Sequence, residues 1–290
     1  MKKLVRESIG AFARTRAGRL VTWKLLQASN VERLAVKTDD GVFMMNGGDN
    51  MIGLSLFVDG RFDKALVDTA CDMAETYLGR EDLTYVDVGA NLGSNTVYAL
   101  RHAAFARAIC FEPGPANFSN LLSTIELSGM AHRVRCERTA LGQSVGRLEL
   151  ELSEVNHGDH RIRMSESERL DVMEIPVTTL DLALSPDERA SVGLVSVDVQ
   201  GFETQVLEGA GGLLALDVPF VCELTPDDLK RCGGYDRFVE ISEGSFNWFV
   251  DMSRPDKQFP IGDLRAFAEE VPPGGHADIF LTKRPLTAKA

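Results

Sequence analysis

The chain has 290 residues, 44% of them hydrophobic and 26% charged, with a formal net charge of −12. That much apolar material fills the core of one large α/β domain, or of one such domain with a smaller appendage, and disorder is not expected. The acidic excess excludes a general nucleic-acid binder, because neutralising phosphates takes surplus Lys and Arg on the contacting face.

In chain order, the first thirty residues carry Lys2, Lys3, Arg6, Arg14, Arg16, Arg19 and Lys24 against the single acid Glu7. This basic, amphipathic stretch reads as a helix packed on the domain with its charges solvated, or as a peripheral contact for an anionic membrane or a partner; an organellar transit peptide is a third option. Residues 36–62 are turn-rich, with Asp39-Asp40-Gly41, Asn46-Gly47-Gly48 and Asp59-Gly60 between apolar pieces, which predicts small strands or hairpins, and residues 65–78 read as helix. Together they make a helical and hairpin cap over 1–80, ahead of a ligand-binding domain over 81–290.

Strands and helices then alternate. Strands are predicted at 84–88, 108–111 and 134–137, separated by a helix over 94–105 that Ser94 or Asn91 can cap and one over 116–127 stopped by Ser128-Gly129. Residues 147–152 alternate as a half-exposed strand and 155–174 form a polar loop, an apparent insertion. The alternation resumes with strand 194–199, helix 201–216 and strand 219–223, and 239–241 and 278–281 supply a late antiparallel edge pair. Strands joined by helices of this length give an α/β, Rossmann-like, mostly parallel sheet with helices on both faces. Such sheets bind ligands beyond the carboxyl ends of their strands, near the switch in strand order.

The chemistry-bearing residues fall at those ends. Asp87-Val88-Gly89-Ala90-Asn91-Leu92-Gly93 leads from strand into helix, and its glycines let a ligand approach the backbone. No Lys-Ser/Thr pair follows, so the turn is not a phosphate loop, and Asn91 stands where a dinucleotide motif needs its second glycine. Asp87 repels pyrophosphate and attracts an ammonium or sulfonium. Glu112, at the tip of the next strand, can accept both hydroxyls of a ribose. Asp198 ends a Val-rich strand, where a buried charge needs a ligand or partner; the other reading is a cap on the helix that follows, and Glu203 fits that helix's first turn. Glu223 ends the next strand as a candidate general base or a salt-bridge partner. His157 and His160 can take a proton or contact substrate from the polar loop, or simply be solvated; two histidines do not make a metal site, and none is expected.

Several of these motifs together resemble the FkbM-like methyltransferases of the class I S-adenosylmethionine-dependent group. The resemblance spans residues 50–229 and rests on the turn over 87–93, Phe111-Glu112-Pro113-Gly114-Pro115, Thr139-Ala140-Leu141-Gly142, Thr178-Thr179-Leu180-Asp181, Val197-Asp198-Val199-Gln200-Gly201-Phe202-Glu203 and Val206-Leu207-Glu208-Gly209-Ala210. It implies S-adenosylmethionine as cofactor and O-methylation of a hydroxyl on a sugar, glycolipid or secondary metabolite. It places the methionine part near Asp87, Gly89 and Asn91 on the turn that ends at Gly93, the ribose on Glu112, and the adenine near Thr139 and Ala140. Gln200 departs from the family, which often has Glu there, and 126–129 replaces a common Leu-Asn-Gly ending. The rival readings are a nicotinamide-dependent oxidoreductase, disfavoured by Asn91, and a non-catalytic methyltransferase-fold binding module, disfavoured by three carboxylates held at strand tips.

The remaining signals are negative ones. Cys71, Cys110, Cys136, Cys222 and Cys232 are odd in number with no C-x-x-C pair, so they read as buried thiols of a reducing compartment. No run reaches the ~18 apolar residues of a membrane span, and no apolar core follows the N-terminal charges, so the expected location is the cytoplasm.

Overall fold

The computed structural model describes residues 10–151, 161–162 and 172–286. Ahead of the main sheet lie helix α1 (Arg16–Ala28), the hairpin β1 (Arg33–Lys37) and β2 (Val42–Asn46), and helices α2 (Ile52–Asp59) and α3 (Lys64–Leu78). Thr15 caps α1 by accepting from the Gly18 N–H at 3.0 Å, and Gly79 ends α3 in the left-handed conformation that costs glycine least.

The core is an eight-stranded sheet in the order β13-β12-β14-β11-β10-β3-β4-β5. Its parallel part is β5 (Val134–Glu137), β4 (Phe105–Phe111), β3 (Leu83–Val88), β10 (Val192–Val197) and β11 (Phe220–Leu224). β14 (Ala277–Thr282), β12 (Trp248–Asp251) and β13 (Gln258–Pro260) extend it antiparallel. All six residues of β3 are buried, because both faces are covered. Val86 and Val88 point into a core shared with Val195, Val197, Phe220 and Phe238, while Leu83 and Tyr85 point into one shared with Trp23, Phe43, Phe105 and Phe280. The period of two along β3 thus feeds two apolar layers at once, which is why it reads as a near-continuous apolar run. The second core also takes in the apolar faces of α1, α2, α3 and the β1–β2 hairpin.

Helices α4 (Ser94–Ala99), α5 (Pro115–Leu127), α6 (Leu180–Ala183), α7 (Pro186–Ser191), α8 (Glu203–Glu208), α9 (Gly211–Leu214), α10 (Pro226–Arg231), α11 (Tyr235–Ser245) and α12 (Leu264–Glu270) connect the strands. Between β5 and β10 lies a second, four-stranded sheet in the order β6-β9-β7-β8, built from β6 (Ala140–Leu141), β7 (Gly146–Glu151), β8 (Arg161–Ile162) and β9 (Val172–Thr178), with its own small core of Ala140, Leu150, Ile162, Ile175, Val177 and Phe202.

Five local expectations change. Residues 36–62, expected as strands or hairpins, hold the hairpin only up to Asn46, and Ile52–Asp59 is helix α2. Residues 239–241 belong to α11, where Phe238, Val239 and Ser242 form its buried face; the antiparallel partners of β14 are β11 and β12. The helix expected over 201–216 is two pieces, α8 and α9, broken at Gly209, where a Cβ would sit 2.1 Å from the Gly142 carbonyl oxygen. The helix expected over 94–105 stops at Ala99, and Phe105 starts β4. Neither Ser94 nor Asn91 caps α4; Gly93 occupies that position with φ of 89°.

Candidate functional site

The chain order runs outward from β3 to β4 and β5 on one side and, after the second sheet, from β10 to β11 on the other. The switch point is therefore the seam between β3 and β10, and the Asp198 N–H bonds the Val88 carbonyl across it at 3.0 Å. Gly89 turns the chain sharply there at φ of 88°, with its N–H and that of Ala90 both on the Phe111 carbonyl at 3.0 Å. A Cβ on Gly89 would lie 1.9 Å from the Asp198 carbonyl oxygen, so only glycine permits the two strand ends to meet this closely. Asn91 follows at φ of 51°, in the left-handed region that asparagine enters more readily than most residues.

A cavity of about 420 Å³ opens above this seam, in the range that holds a cofactor-sized ligand. Gly89, Asn91, Glu112, Thr139, Ala140, Asp198 and Glu223 all line it. The second sheet closes one side with Leu141, Leu150 and Ile162, and the segment around α2 closes another with Met51, Ile52 and Phe62. Asp87 and Gly93 are not on its wall. Asp87 is buried directly behind the turn and accepts from Thr96 Oγ1 at 2.5 Å, while Gly93 packs over Leu121 at the start of α4. His157 and His160 lie outside the described residues.

Glu112 is 5% exposed and accepts two backbone N–H groups, from Asn91 at 2.9 Å and Gly114 at 2.7 Å. Those bonds hold the β3 and β4 tips in register and leave further lone pairs for a ligand hydroxyl. Thr139 donates to the Pro176 carbonyl at 3.0 Å, fixing the strand end against β9. Asp198 does not cap the next helix. Phe202 takes the N-cap position with no side-chain cap bond, and Glu203 Oε1 ties down the turn before the helix by accepting from the Val199 and Gly201 N–H groups at 3.0 and 3.2 Å. Asp198 is instead open to the cavity, and Gln200, itself left-handed at φ of 55°, aims one amide at two acids: Nε2 lies 2.7 Å from Asp198 Oδ1 and 3.0 Å from Glu223 Oε2.

No Lys or Arg lines this cavity among the described residues. Burial away from water therefore dominates the acids that line it and those just behind it. It raises Asp87 and Glu112 to about 7 each, partly against the hydrogen bonds they accept and with help from neighbouring negative charge. It raises Glu203 likewise to about 7. Glu223 is pushed up to about 10, by burial first and by the nearby Asp198 second, so near neutrality it keeps its proton. Asp198 is raised too, for the same first reason, while the bond from Gln200 pulls it back.

Three further residues come to this site without a signal in the local sequence. Asp63, at the left-handed start of α3, and His276, just before β14, both line the cavity, and Asp278 stands beside Glu223 across the β11–β14 ladder. His276 lies in a Pro-Gly-rich turn that reads as a connection, and only the sheet order brings it near Asp198. Elsewhere, Asp72, Glu75 and His102 are grouped closely enough for a metal ion. The Ala104 N–H donates to His102 Nδ1 at 3.3 Å, which leaves the ring proton on Nε2, 3.0 Å from Asp72 Oδ1. A donor, not a metal ligand, faces those acids. No helix among the described residues is long and apolar enough to cross a membrane.

Among solved structures, the chain resembles the methyltransferase FkbM from Methylobacillus flagellatus KT at 13% identity and a TM-score of 0.40, covering 80% of this chain and 55% of that one. It thus spans about half the length of that relative. It also resembles TYW2 from M. jannaschii in complex with AdoMet, at 10% identity and a TM-score of 0.44 over 88% and 87% of the two chains. TYW2 from P. horikoshii in complex with MeSAdo is similar at 12% identity and a TM-score of 0.44, over 87% and 72%. No curated protein matches it. The methyltransferase FkbM domain matches residues 87–253, which takes in every parallel strand tip that faces the cavity between β3 and β11. The chain belongs to the FkbM methyltransferase domain family.

Proposed function

We propose that this chain is an S-adenosylmethionine-dependent O-methyltransferase acting on a hydroxyl of a sugar, glycolipid or secondary metabolite. The observation that carries the reading is the cavity at the β3–β10 seam, walled by carboxylates with no Lys or Arg among its described lining residues. A pyrophosphate cofactor would meet uncompensated repulsion there, whereas a ligand with sulfonium and ammonium charges would relieve it. This also weighs against a nicotinamide cofactor.

The residues present fit that group. Glu112 would hold the ribose hydroxyls, the backbone from Gly89 to Asn91 would meet the methionine part, and Thr139, Ala140 and Leu141 would flank the base. Asp87, behind the turn, would act through its field. Asn95 has a buried side-chain oxygen with no partner on the cavity wall, an acceptor for an ammonium. When bound, S-adenosylmethionine supplies an activated methyl group on sulfur.

The protein's own part is to align an acceptor hydroxyl, exclude water and take its proton. Asp198 is the base in this reading: it opens to the cavity, and its raised pKa strengthens it as a proton acceptor. Glu223 holds a proton and acts as a hydrogen-bond donor beside it. Gln200 positions both. The expected location remains cytoplasmic.

Calorimetric titration with S-adenosylmethionine and NAD in parallel tests the reading. Saturable binding of the first is expected, and binding of NAD alone would overturn it. Glu112→Ala should weaken S-adenosylmethionine by about 10- to 100-fold, the size of a lost charged hydrogen bond.

A further inference from the structure

A second cavity, of about 520 Å³, adjoins the first, and His276 lines both. Its walls are α3 through Ala65 and Leu66, the turn after β12 through Met252, the end of α12 through Phe267 and Glu270, and the start of β14 through Asp278. A cofactor occupying the first cavity would leave the second as the adjoining space that reaches its reactive end. That end is marked by Asp198, Glu223 and His276.

Carboxyl groups crowd the junction around His276. β10, β11 and β14 are neighbours in the sheet, and they bring Asp198, Glu223 and Asp278 side by side. Glu223 and Asp278 are direct partners across the antiparallel ladder, where a second negative charge is disfavoured and Glu223 holds a proton. Asp63 approaches from α3. Arg254, on the wall of the second cavity, is already bound to Asp251 at 2.8 Å. Burial and then Asp198 raise Asp278 to about 6, while His276 pulls it back.

We propose that the second cavity is the acceptor subsite and that it takes a polyhydroxylated acceptor carrying a protonated amine, an amino sugar, whose ammonium lies on Asp278 beside His276, at the opening toward Glu223 and Asp63 of the first cavity. The hydroxyl groups of such a compound find acceptors in the same carboxylates, and its apolar ring face finds Leu66 and Phe267. Phosphorylated or carboxylated acceptors are excluded by the same charges. This inference rests on the methyltransferase reading above and narrows its substrate class.

Methionine-methyl NMR separates the two. Met51 lines the first cavity and Met252 the second, so each reports on one. In protein loaded with S-adenosylhomocysteine, glucosamine should shift the Met252 signal saturably, at least about fivefold more tightly than glucose, the effect of roughly 1 kcal/mol of charge pairing. Glucuronate should leave it in place. Ala65→Trp, at an exposed helix position that faces this cavity, should abolish the Met252 response while S-adenosylmethionine still moves Met51. Asp278→Asn, a near-isosteric change that removes the charge, should reduce the preference for glucosamine over glucose. An unmoved Met252, or an equal response to glucose or glucuronate, overturns this inference with the cofactor reading intact. A Met51 signal that ignores S-adenosylmethionine overturns the cofactor reading itself.

Discussion

Asp198 and Glu223 are one carboxyl character split by environment into two. Both end strands at the same edge of the sheet, yet Glu223 is pushed up to about 10 while Asp198, bonded by Gln200 and open to the cavity, is the stronger acid of the two. If Asp198 takes the acceptor proton, Asp198→Asn should lower kcat by about 10²- to 10⁴-fold with little change in S-adenosylmethionine affinity. Gln200→Ala removes the bond that lowers the Asp198 pKa, so the acid limb of the kcat/KM profile should move to higher pH. An unchanged limb would mean that another group takes the proton. The sequence placed both acids at strand tips, and it flagged Gln200 only as a departure from the family. Its φ of 55° and its two-way amide are properties of the turn, which local pattern does not encode.

Glycines at the strand–helix turns are under two different constraints. Gly89 has φ of 88° and a virtual Cβ 1.9 Å from a backbone oxygen of the neighbouring turn, whereas Gly93 has φ of 89° and a virtual Cβ 2.7 Å from the tip of Leu121. A side-chain tip can move and a paired strand end cannot. Gly93→Ala should therefore cost about 1–2 kcal/mol, the usual left-handed penalty. Gly89→Ala should cost clearly more and separate β3 from β10, as read by thermal unfolding and by loss of S-adenosylmethionine binding. Equal melting temperatures for the two variants would refute the distinction. Strand positions were legible because β3, β4, β10 and β11 are buried runs bounded by turns. Helix lengths were not: α8 ends at Gly209, where the Gly142 carbonyl of another element crowds the backbone.

Across the whole molecule, the unmatched acids make stability depend on pH and on cations. Asp278 at about 6 and Asp87, Glu112 and Glu203 at about 7 have folded-state values above those of the unfolded chain. The native state thus holds more protons than the unfolded one, and its advantage, complete below about pH 4, is lost as pH rises through 6 and 7. The melting temperature of the ligand-free protein should fall by about 5 °C or more between pH 6 and 8, since ~1 kcal/mol moves a domain of this size by a few degrees. A rise over that interval would contradict the assignment. A cationic ligand lowers these pKa values, so binding S-adenosylmethionine near pH 7 should release protons. Calorimetry in phosphate and in Tris should then give different apparent enthalpies, and S-adenosylhomocysteine, without the sulfonium charge, a smaller difference.

By itself the sequence determined the α/β class, the parallel strands and the strand-tip residues Gly89, Asn91, Glu112, Asp198 and Glu223, because each is written in contiguous pattern: buried runs, punctuating glycines, acids at run ends. Only the tertiary structure decided that residues 239–241 are helical, that Glu203 and not Asp198 serves the following backbone amides, and that Asp63, His276 and Asp278 join the site. Those outcomes depend on which strands become neighbours. Strand order is set by burial of both sheet faces over distances that no local window of sequence spans.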